Sequence, residues 1–86
     1  MASVAEVKAA IDAAIAQVGD GQNAMRSACD HLGEAQQSLA AALDGSAHEA
    51  VAAAQAALLQ AGDDLTACLT ATTNAVEQAR TYSTGL

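Results

Sequence analysis

Proline is absent from the sequence, as are tryptophan and phenylalanine, and Tyr82 is the lone aromatic residue. Without proline, no ring clash or missing amide interrupts a helix. With Tyr82 as the sole aromatic, few bulky side chains are available to fill a core. Basic residues are scarce: three against ten acids, for a net charge of −7. That balance argues against nucleic acid and against anionic membrane surfaces, which are held by Lys/Arg-rich faces. No apolar run approaches the ~20 residues of a membrane span. Lys8 falls inside a helical pattern with no continuous apolar stretch after it, unlike a signal peptide. The expected location is cytoplasmic, or secreted without a classical signal peptide.

What is abundant is alanine, 25 of 86 residues, beside only 17 Val, Ile, Leu or Met. The 52% hydrophobic content therefore overstates the core, since each alanine buries little more than one methyl group. At roughly 25 cal/mol per Å² of apolar area, such a core stabilises weakly. A chain this short is expected to be one domain, residues 1–86, that gains stability from close helix approach or from a partner's surface.

Punctuation is concentrated at the midpoint. In Leu43-Asp44-Gly45-Ser46, Gly45 suits the left-handed residue that ends a helix and Ser46 can cap the next one. Ser46-Ala47-His48-Glu49 reads as a capping box, and Ser3-Val4-Ala5-Glu6 is the same box at the start of the chain. Two helix starts with one turn between them predict an all-α, two-helix antiparallel hairpin. Helix 1 is expected over about 3–43, the turn over 44–46 and helix 2 over about 46–81, with fraying from Thr81 onward. Placing one half over the other also reveals a repeat. Ser3, Glu6, Gln17, Gly19-Asp20, Glu34 and Leu43 recur as Ser46, Glu49, Gln60, Gly62-Asp63, Glu77 and Leu86.

In the first half one apolar position returns every seven residues: Val4, Ile11, Val18, Met25, Leu32, Leu39. Its companion three residues on is small: Val7, Ala14, Gly21, Ala28, Ala35, Ala42. A large/small seam of this period is a coiled-coil pattern. Ile15, Cys29 and Leu43 form a second line beside it, interrupted by Gln22 and Gln36. In the second half the expected seam is Val51, Ala54, Leu58, Ala61, Leu65, Cys68, Thr72, Ala75 and Ala79, flanked by Leu69 and Val76. The seam keeps its phase across Gly19-Asp20-Gly21, so a kink or a tolerated weak spot is expected there and at Gly62, rather than a helix end. Pairing about the central turn sets residue i near 90 − i. Gly19 then faces Ala71 and Gly62 faces Ala28, as close backbone contacts. The same register leaves Cys29 and Cys68 about seven residues out of step, beyond the reach of a disulfide.

Little else in the sequence carries chemistry. Cys29-Asp30-His31 places its side chains about 100° apart on a helix, and no Cys-x-x-Cys, His-x-x-x-His or Glu-x-x-His spacing is present. There is no nucleophile elbow and no phosphate loop. No catalytic residue, cofactor site or metal site is expected, and the chain does not read as an enzyme.

In size, central glycine turn, paired equal helices and acidic balance, the chain resembles the ESX-type (Trp-x-Gly) helical-hairpin superfamily. The turn keeps the glycine, Gly45, without the tryptophan. Tyr82 is followed by Ser83-Thr84-Gly85-Leu86, with no acid at the fourth position. The resemblance implies an antiparallel hairpin that pairs into a four-helix dimer, with a role as substrate or partner of type VII secretion.

Three functions compete. The first is a non-enzymatic protein–protein interaction module. It would be a homodimer, or pair with a related helical hairpin, through Ile15, Cys29, Leu43, Leu58, Leu59 and Leu69. The alternative is a structural subunit that self-assembles into a filament or larger assembly. The third, a regulatory or carrier bundle, requires an internal cavity.

Overall fold

The computed structural model describes residues 2–42 and 49–86. These contain two long helices, α1 (Val4–Ala42) and α2 (Glu49–Thr84), and no strand. The expected turn, with Leu43, Gly45 and Ser46, lies outside the described residues. Glu49, the expected partner of the Ser46 cap, is the first residue of α2.

The first helix starts as its sequence dictates. The Glu6 amide donates to Ser3 Oγ at 3.1 Å, and the Ser3 amide donates to a Glu6 carboxylate oxygen at 3.3 Å. The box satisfies backbone donors that have no partner inside the helix. From there α1 runs unbroken through Gly19-Asp20-Gly21 to Ala42. The second helix is likewise unbroken at Gly62 and ends at Thr84, three residues beyond the expected end. Its last turn is held by threonines: Thr81 Oγ1 donates to the Glu77 carbonyl and Thr84 Oγ1 to that of Arg80. The Gly85 amide closes it by donating a hydrogen bond to the Thr81 carbonyl at 3.2 Å. The expected fraying fails because each hydroxyl is tied to a carbonyl of the preceding turn.

The helices pack antiparallel along a rod of 64 × 17 × 15 Å. Half-buried positions in α1 are Ile11, Ile15, Val18, Gln22, Met25, Cys29, Leu32, Gln36 and Leu39, joined at the margins by Val7, Gly19, Ala28 and Gly33. In α2 they are Val51, Gln55, Leu58, Gly62, Leu65, Leu69, Thr72, Val76, Ala79 and Ser83, with Ala61 beside them. Both series alternate steps of four and three, the heptad of a two-helix coil.

This corrects the expected seam in one respect. The seven-residue lines Ile11–Leu39 and Val51–Ala79 face inward as expected, whereas Val4, the expected first member of the α1 line, is 53% exposed. The companion line lies four residues on, not three. Ile15, Gln22, Cys29 and Gln36 face α2, while Ala14, Gly21, Ala35 and Ala42 are exposed. In α2, Leu69 and Val76 replace Ala54, Cys68 and Ala75, which are exposed. The larger side chains bury more apolar area than alanines would, and this offsets drawing two glutamines into the seam.

Gln22 and Gln55, the latter a seam residue of α2, bond across the interface through their side chains. Gln22 Nε2 donates to Thr72 Oγ1 at 3.0 Å and to Thr73 Oγ1 at 3.2 Å. Thr72 Oγ1 spends its proton on the Cys68 and Leu69 carbonyls, and Thr73 Oγ1 on that of Leu69. Their lone pairs are thereby left to accept from Gln22. Nearer the turn, Gln55 Nε2 donates to the Gln36 carbonyl at 3.3 Å. The Gln22–Thr72 bond sets residue i opposite about 94 − i, one helical turn from the register expected by folding about Gly45.

The expected close approach at the glycines is also absent. A Cβ added at Gly19 or Gly62 would meet no atom within 4 Å, and the same holds at Gly21 and Gly33. The larger side chains of the observed seam hold the backbones apart, so these glycines border open space.

Candidate functional site

An antiparallel heptad pair has two flanks, one on each side of its seam. On one flank α1 presents Asp12, Gly19, Arg26, Gly33 and Ala40, and α2 presents Ala52, Leu59, Thr66, Thr73 and Arg80. Two of the chain's three basic residues lie here. On the other flank α1 presents Val7, Ala14, Gly21, Ala28, Ala35 and Ala42, and α2 presents Ala54, Ala61, Cys68, Ala75 and Tyr82. None of these residues carries a charge.

The first flank holds a groove of about 300 Å³ lined by Ile15, Gly19, Gln22, Arg26, Thr73, Val76, Glu77 and Arg80. It exists because Gly19 has no side chain to fill it and because the Gln22–Thr73 bond forms its floor. Arg26 Nη1 donates to Asn23 Oδ1 at 3.2 Å. The groove brings together guanidinium, amide, hydroxyl and carboxylate groups, yet pairs no nucleophile with a base. A neighbouring depression on α2, lined by Thr66, Leu69, Thr70, Thr73, Asn74 and Glu77, is more apolar. Thr66 and Thr70 donate to the Gly62 and Thr66 carbonyls, which leaves their methyl groups as wall.

Titratable side chains are dispersed. His31 Nδ1 stands 3.7 Å from Glu34 on an exposed part of α1, a pair of one helical turn that is charged only when the histidine is protonated. Cys29 is half-buried in the seam and Cys68 is exposed on the uncharged flank, both as free thiols. Among the described residues, no group of three or more His, Cys, Asp or Glu side chains converges as a metal site would require.

No family model, curated protein or solved structure matches this chain.

Of the expected interface residues, Ile15, Cys29, Leu58 and Leu69 are brought together, but in the seam between α1 and α2 of one chain. Leu59 is apart from them, 59% exposed on the arginine-bearing flank. Leu43 lies outside the described residues. Among the capping residues, Ser3 and Glu6 bond reciprocally at the head of α1. The small-residue row of α1, expected in the seam, lies outside it at Ala14, Gly21, Ala35 and Ala42 and at its margin at Val7 and Ala28. The signal was present as a run of uncharged residues every seventh position from Val7 to Ala42.

The most telling property of the surface is its extent. No described residue is buried, and the chain exposes 5975 Å². A compact monomer of 8.5 kDa exposes about 4,700 Å². The radius of gyration, 19.4 Å, exceeds the ~12 Å of a compact chain of this length. No described helix is long and apolar enough to cross a membrane.

Proposed function

We propose that this protein is a non-enzymatic interaction module, a helical hairpin that acts by packing against a second helical hairpin. The observation that carries this reading is a surface about 1,300 Å² larger than a compact monomer of its mass would have. Stable protein interfaces bury about 800 Å² per partner, so the surplus matches one such interface with area to spare. The ESX-like role, delivering or holding a partner for secretion, rests on hairpin architecture alone.

The test is the solution mass of the intact chain at micromolar concentration, by light scattering coupled to size exclusion. Twice the chain mass of 8.5 kDa is expected. A single-chain mass at every concentration, together with a cooperative thermal transition, would overturn the proposal. A mass that keeps growing with concentration would instead favour the self-assembling structural subunit.

A further inference from the structure

We propose that the groove between Arg26 and Arg80 binds a small organic dicarboxylate, one carboxylate on each guanidinium and the hydrocarbon between them laid over Gly19. The site is built within a single hairpin and does not depend on whether that hairpin pairs with another.

Charge singles out the groove. Acids outnumber bases ten to three in this chain, yet two of the three bases line this one surface. Arg26 Nη1 bonds the neutral Asn23 Oδ1, and among the described residues neither arginine forms an ion pair. Glu77 is the one acid on the groove wall, so two positive charges face one negative.

The antiparallel fold then aims both arginines at the same space. Side chains on a helix lean toward its N-terminus. Arg26 on α1 therefore leans toward Gln22 and Gly19, while Arg80 on α2 leans toward Val76 from the opposite end. In the register fixed by Gln22 and Thr72, Arg26 sits opposite position 68, twelve residues from Arg80. Their backbones are thus roughly 18 Å apart along the axis at 1.5 Å per residue, and both side chains reach into that gap. Gly19 keeps it open, since a Cβ there would meet no atom within 4 Å.

The groove's remaining groups select what can fill it. Ile15 and Val76, both half-buried, supply apolar surface between the two arginines. Other donors are committed within the protein: Gln22 Nε2 to Thr72 and Thr73, and Thr73 Oγ1 to the Leu69 carbonyl. What is left is a guanidinium fork at each end with hydrocarbon between them. Each fork matches the planar geometry of one carboxylate. A volume of about 300 Å³ is at the lower bound for small-molecule sites and suits a short carbon chain.

The probe is glutarate, titrated at low ionic strength into the full, unmodified chain and followed by amide NMR. Saturable shifts are expected at the Gly19 amide and the Gln22 side-chain amide, with none at the exposed His31–Glu34 pair. Acetate, which can engage only one fork, should bind at least about fivefold more weakly. Arg26→Gln and Arg80→Gln should each lower glutarate affinity by at least about fivefold, since each removes one fork. Glu77→Gln should raise it by about two- to threefold by removing the opposing charge. Gly19→Leu keeps both arginines but fills the groove, and leucine is the better helix former. That variant should lose binding while circular dichroism shows its helices retained. No saturable shift with glutarate would overturn the site. Acetate binding as tightly as glutarate, or glutarate affinity unchanged in Gly19→Leu, would overturn the two-ended arrangement across Gly19.

Discussion

Gly62 sits half-buried in the seam with no atom within 4 Å of where a Cβ would stand. Its lack of a side chain is therefore not required for packing, and its backbone freedom costs helix stability. Gly62→Ala is expected to stabilise the hairpin by about 0.5–1 kcal/mol, and Gly19→Ala by a similar amount, read as a raised midpoint in thermal circular dichroism. A lowered midpoint would mean that something approaches these positions more closely than 4 Å. Ser3 makes the opposite case. Its hydroxyl accepts from the Glu6 amide at 3.1 Å, so Ser3→Ala should cost about 1 kcal/mol. The loss should be local, seen as faster hydrogen exchange at the Glu6 amide, with exchange in the middle of α1 unchanged. The cap was legible in the sequence because its whole interaction lies within four residues. The emptiness around the glycines was not, because it depends on the distance between two helices.

At the scale of the helix pair, the same division holds. The seven-residue lines through Val18 and Leu65 were legible because period alone fixes them. Which neighbouring line completes the seam was not. A residue three positions on and one four positions on lie on either side of the line, and the rotation of each helix decides between them. The choice was made by Ile15, Leu69 and Val76, whose added bulk outweighs the cost of turning Gln22 and Gln36 toward α2. That cost is small because Gln22 donates to two threonine hydroxyls already committed as donors elsewhere. A polar layer of this kind fixes register more than it adds stability. The double substitution Gln22→Leu with Thr72→Val should accordingly raise stability by about 1 kcal/mol in urea denaturation, since both partners leave together. Gln22→Leu alone should gain less. Loss of the polar layer should also loosen register, measured as a broader set of cross-links between cysteines introduced on α1 and α2. A double variant that is less stable, or that keeps a single cross-linking pattern, would count against this reading of the layer.

At the scale of the whole molecule, hydrophobic contact and net charge oppose each other. Exposed apolar area would favour the proposed pairing with a second hairpin, while a charge of −7 on each copy disfavours it over tens of ångströms. Salt weakens only the second effect. The screening length falls from ~30 Å at 0.01 M to ~8 Å at 0.15 M, shorter than the rod is wide. Self-association through apolar contact should therefore tighten as salt rises, with the dissociation constant falling several-fold between these conditions. Pairing through the arginine-bearing flank would bring Arg26 and Arg80 against acids of the second copy, and salt would loosen it by screening the attraction. Sedimentation velocity on the unmodified chain at the two ionic strengths separates the cases by sign alone. Tightening supports a dimer joined through apolar contact, and loosening would place the contact at the arginines.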